Sequence, residues 1–66
     1  MDTTIAELWE RTLSNCRYYE EKNDMKHLLN EIGVLRGIAY VIELCGGCPH
    51  SEEFLRFIDI QCELTK

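Results

Sequence analysis

The stretch from Leu28 to Leu44 constrains this chain more than any other. Leu28, Ile32, Leu35, Ala39 and Ile42 recur at alternating steps of four and three, the seam spacing of a packed helical bundle. Val34, Ile38, Tyr40, Val41 and Leu44 lie outside that seam, and from Ile32 onward only a narrow stripe carrying Arg36 and Glu43 is strongly polar. A helix that is apolar nearly all round is a buried one. In a chain of 66 residues two short neighbours cannot cover it completely, so the pattern predicts a partner.

Gly33 and Gly37 point the same way. They are four apart and share a face, and each lowers helix stability by about 0.8–1 kcal/mol relative to alanine. A small-xxx-small face lets a second helix backbone approach closely. The expected interface of a homo-oligomeric bundle, a dimer or higher, is therefore Leu28, Ile32, Gly33, Leu35, Gly37, Ile38, Ala39, Tyr40, Val41, Ile42 and Leu44.

Two further helices flank this one. Thr4-Ile5-Ala6-Glu7 reads as a capping box, and apolar positions then recur at Ile5, Leu8, Trp9, Leu13, Cys16 and Tyr19. A first helix is expected over about 4–22. Lys22-Asn23-Asp24 turns the chain, with Asp24 or Asn23 as the N-cap of a second helix over about 24–45. Gly46-Gly47 ends it, since glycine supplies the left-handed conformation that helix C-termini often need. Ser51-Glu52-Glu53 opens a third helix, about 51–64, with a capping hydroxyl and two carboxylates at the positive end of the macrodipole. Its apolar face is Phe54, Leu55, Phe57, Ile58, Cys62 and Leu64. The expectation is one all-α domain over residues 1–66, a helical hairpin plus a shorter third helix.

Apolar residues are 45% of the chain, enough for a real core and too many for a disordered segment. Twelve acidic against seven basic residues give a net charge of −5. Nucleic acid and anionic membranes are held by Lys and Arg, so neither is an expected direct partner. The opening MDTTIAELWE lacks the positive and continuous apolar regions of a secretory signal. Reduced thiols and a cytoplasmic location follow as expectations.

The stretch most suggestive of chemistry is CGGCPH, residues 45–50. Cys45 and Cys48 at C-x2-C spacing with His50 make half of a zinc site, which wants four tetrahedral ligands. The other candidates are badly placed: Cys62 lies about 16 Å along the third helix at 1.5 Å per residue, Cys16 is deep in the first, and His27 sits at the far end of the second. A site at Cys45, Cys48 and His50 would need two subunits whose turns meet. The motif also resembles the C-x-x-C active sites of thioredoxin-like proteins, but there it follows an early strand, whereas residues 28–45 here read as helix. The simpler expectation is a turn, with Pro49 preventing continuation of the helix and no metal or cofactor. Cys16 and Cys62 fit apolar arcs and are expected near one level of the core.

No catalytic constellation is expected. His27 and His50 belong to no evident triad, and the adjacent carboxylates Glu20-Glu21 and Glu52-Glu53 point about 100° apart on a helix. The expected function is non-catalytic: a small acidic helical protein that self-associates through the second helix and acts by binding another protein. In type, it is similar to the small accessory proteins of phages and mobile elements, which often inhibit or redirect a host factor. An acidic face of Glu7, Glu10, Tyr18, Glu20, Glu21, Glu52, Glu53 and Asp59 would then meet a basic surface on the partner. The alternatives are a structural subunit of a larger assembly and the intersubunit zinc module.

Overall fold

The computed structural model describes residues 3–65, which form three helices: α1 (Thr3–Glu21), α2 (Met25–Leu44) and α3 (Glu52–Leu64). The all-α class is as expected, and every helix bound falls within a residue of the expected one. One local expectation fails. α1 already includes Thr3, so Thr4 lies in its first turn and is not its N-cap. The cap position falls outside the described residues.

Both connections are set by the way their helices stop. At the end of α1, Asn23 takes a left-handed φ of 58°, its N–H bonds to the Glu20 carbonyl (3.1 Å), and the Asp24 N–H reaches the Tyr19 carbonyl (2.9 Å). These are the paired closing bonds of a Schellman motif. Asp24 then begins the next helix, its Oδ1 accepting from the His27 N–H at 3.3 Å. One residue thus closes α1 and caps α2, which folds the pair into a tight hairpin. The end of α2 repeats the device: Gly46 has φ 85°, its N–H bonds to Glu43, and the Gly47 N–H bonds to Ile42 at 2.9 Å. Gly47 is also held by space, because a Cβ there would stand 2.7 Å from Ile42 Cγ2. Ser51 caps α3, its Oγ accepting from the Phe54 N–H at 3.2 Å.

The core draws on all three helices. Leu13 and Cys16 of α1, Leu28, Ile32, Leu35 and Ala39 of α2, and Phe54 and Phe57 of α3 form one buried cluster. Trp9, Tyr19, Met25, Ile58 and Ile60 pack against it from the sides. Trp9 and Phe54 meet as tilted rings with centroids 5.3 Å apart. Thr12, a polar residue, is also buried, and its hydroxyl donates to the Leu8 carbonyl at 2.7 Å. That back-bond satisfies the group without a partner from another helix.

Several apolar residues lie elsewhere than expected. Leu8, Leu55 and Leu64 are exposed. So is Cys62, which therefore does not meet Cys16 in the core. The apolar arc of α3 is narrower than expected, with Phe54 and Phe57 buried, and Ile60, absent from the expected face, packs beside the core with Ile58.

The edge between α1 and α3 is held by charge. Arg17 donates to both oxygens of Glu53, Nε to Oε2 at 2.6 Å and Nη2 to Oε1 at 2.5 Å. Arg56 pairs with Glu20 in the opposite polarity. The Arg56 guanidinium also lies 4.6 Å above the Phe57 ring, roofing the core. α3 is further tied to α2 by Arg36 Nη1 donating to Gln61 Oε1 at 2.9 Å.

Candidate interaction surface

The interface expected on α2 divides into two sets. Leu28, Ile32, Leu35, Ala39 and Ile42 are buried within the chain's own core. Their seam is used by α1, α3 and the 45–49 turn, and it is not free for a second subunit. Gly33, Gly37, Tyr40, Val41 and Leu44 face outward, with Ile38 half-buried at the margin. Val34, absent from the expected set, joins the outward group. Its signal was already in the sequence, since it falls beside Gly37 and Val41 on a helical projection.

At 100° per residue, Gly33, Val34, Gly37, Tyr40, Val41 and Leu44 fill one arc about 120° wide. Among the large hydrophobics Leu44 is 70% exposed, Tyr40 63%, Val34 48% and Val41 40%. A Cβ added at Gly33 or Gly37 would meet nothing within 4 Å, so packing inside the chain does not require either glycine. The only carboxylates on α2, Glu31 and Glu43, both fall outside the arc. Lys26 and Asn30 are the polar residues within it, toward the helix N-terminus. The result is an open, nearly uncharged ridge on an acidic protein.

The acidic face is likewise thinner than expected. Glu20 and Glu53 are spent on the α1–α3 ion pairs and are half-buried, and the hydrogen bonds from Arg17 hold the Glu53 carboxyl below the usual glutamate range. Glu7, Glu10, Glu21, Glu52 and Asp59 remain exposed, as does Tyr18, whose ring stands edge-on to Tyr19 with Lys22 Nζ 5.7 Å from its centroid.

Both histidines are engaged locally. His27 stacks on Tyr19 at 5.1 Å, and its Nδ1 lies 2.7 Å from Asp24 Oδ2. The Asp24 carboxyl is lowered chiefly by the His27 backbone N–H at the cap, then by the His27 ring. His50 Nε2 is 3.1 Å from Glu43 Oε1, and its ring is tilted against Phe54. Cys45 and Cys48 are both exposed thiols flanking the α2 stop. Among the described residues no three His, Cys, Asp or Glu side chains are grouped so as to hold a metal ion, and no pocket opens. Cys16 is the one buried cysteine; burial, reinforced by Glu31, Glu53 and Glu20, pushes its thiol up to about 11. Among the described residues no helix is long and apolar enough to cross a membrane.

The fold defines a three-helix all-α protein with an exposed apolar helix face. No protein-family model, curated protein sequence or solved structure matches the chain.

Proposed function

We propose that this chain is a non-catalytic interaction protein whose working surface is the outward face of α2. The observation that carries this is the ridge of Val34, Tyr40, Val41 and Leu44 around the two open glycines. Contiguous exposed apolar surface rimmed by polar residues marks a contact site more often than an accident of packing. Two glycines at about 0.8–1 kcal/mol each are a substantial penalty in a small helical domain, and close approach by another helix accounts for both. The exposed carboxylates Glu7, Glu10, Glu21, Glu52 and Asp59 would keep the remaining surface soluble and would steer any basic partner to the faces of α1 and α3, away from the ridge.

The test is capture of partners from a cell extract by the immobilised chain of residues 1–66, alongside the double variant Tyr40→Glu/Leu44→Glu. Both residues are exposed, so helical content by circular dichroism should be unchanged. Loss in the variant of a captured protein, or of an added second copy of the chain, supports the proposal, and equal capture of both by the two chains overturns it. Charge reversal at Glu7, Glu10, Glu21 and Glu52 separates the acidic contribution from the apolar one.

A further inference from the structure

We infer that the α2 ridge is covered by a second copy of this chain, the two α2 helices crossing antiparallel at Gly33 and Gly37. This rests on the ridge being a contact surface, and it adds the occupant and the orientation. Charge argues for the occupant. The protein carries net −5, so two copies repel through most of their surface. The α2 arc is free of carboxylates, and copies can meet there without opposing acids. A face built first for a basic partner would carry acidic residues within it. A two-fold contact is also self-complementary: the glycine pair of one helix meets the glycine pair of the other, and neither needs a special partner surface.

Orientation follows from the ends of the ridge. Lys26 stands at its N-terminal end and is exposed. Glu43, half-exposed and already 3.1 Å from His50 Nε2 through Oε1, lies beside its C-terminal end next to Leu44. A parallel pair would set Lys26 against Lys26 and Glu43 against Glu43. An antiparallel pair centred between Gly33 and Gly37 brings Lys26 over the partner's Leu44, with its ammonium in reach of the adjacent carboxylate. The lysine stem covers Leu44 while the charge stays wet. Tyr40 falls opposite Asn30, so the large side chains of one half fill the smaller, polar half of the other. The two 45–50 turns then lie at opposite ends of the dimer, which separates the Cys45/Cys48/His50 sets of the two chains.

The experiment is sedimentation equilibrium on the full chain, reduced and at low salt, for wild type, Lys26→Glu, Glu43→Lys and the double reversal. Within one chain residues 26 and 43 are about 25 Å apart along the helix, so they can compensate each other only between chains. Each single reversal should weaken the dimer roughly tenfold, because two symmetric contacts become like-charged together. The double reversal should return it to within about threefold of wild type. Glu43→Lys is the sharper of the two, since it lowers net negative charge and would strengthen association if only overall repulsion mattered. A double reversal no better than the singles overturns the antiparallel contact, as does one zinc per two chains by native mass spectrometry. A wild-type monomer at every concentration overturns self-association. If that monomer still captures a protein that Tyr40→Glu/Leu44→Glu loses, the contact surface stands with a different occupant. If it captures nothing that depends on those residues, both proposals fall.

Discussion

Arg17 and Glu53, 36 residues apart in sequence, form a bidentate pair that joins the outer edges of α1 and α3. Three residues further along each helix, Glu20 and Arg56 repeat the contact with the charges exchanged. The alternation has a consequence for register. Sliding α3 by one turn would bring Arg56 toward Arg17 or Glu53 toward Glu20. The crossed arrangement therefore penalises misaligned packing more than it strengthens the correct one, which is the use to which charge pairs at partly exposed sites are best suited.

Acidification should expose this pair. The folded Glu53 carboxyl is lowered, so its contribution is present above the ordinary glutamate value of 4.5 and is lost as pH falls below it. Urea unfolding of wild type should weaken on the acid side of that value, and Glu53→Gln should weaken less over the same interval. Parallel acid limbs for the two proteins would show that the pair contributes nothing to folding.

The glycines should respond to alanine in opposite ways. Gly46→Ala meets a left-handed backbone and Gly47→Ala meets Ile42, and each should destabilise by about 1–2 kcal/mol. Gly33→Ala and Gly37→Ala have open space and sit in a helix interior, so each should stabilise an isolated chain by about 0.8–1 kcal/mol. Thermal unfolding at low protein concentration measures both. A destabilised Gly33→Ala under those conditions would mean that the chain itself needs the glycine.

Thiol chemistry should divide the cysteines three to one. Cys45, Cys48 and Cys62 are exposed and Cys16 is buried, so titration with a disulfide reagent at neutral pH should show three fast equivalents and a fourth that appears only on unfolding. Burial favours the neutral Cys16 thiol. Its contribution is full below the ordinary value of 9.0 and fades as pH rises toward 11. Wild type should lose about 2 kcal/mol more than Cys16→Ala between those values. Four fast equivalents in native protein would place Cys16 at the surface.

Ser51→Ala should lower stability by about 1 kcal/mol, because the Phe54 N–H loses its acceptor at the start of α3. Ser51→Asp should retain the cap and gain from the helix dipole. Equal unfolding midpoints for all three chains would show that α3 is held by Phe54 and Phe57 alone.

Local signals determined the architecture. The four-and-three repeat of Leu28, Ile32, Leu35, Ala39 and Ile42 named the inner seam of α2 residue by residue, because helical rotation alone places those positions in line. Asp24 and Ser51 as caps, and Gly46-Gly47 as a stop, were legible because each satisfies backbone groups within a few residues. Periodicity could not say what covers a stripe. The same seam reads as oligomer interface or as private core, and only the packing of α1 and α3 decided that it is the core, leaving the glycine face outward. Glu20 and Glu53 read as solvated carboxylates because their arginines lie 36 residues away. Cys62 and Leu64 sit on a plausible apolar arc, yet α3 turns them to the surface. Thr12 goes inward because a carbonyl one turn earlier accepts its hydroxyl. Each of these was settled by contacts between or along helices, and composition carries no record of which surfaces meet.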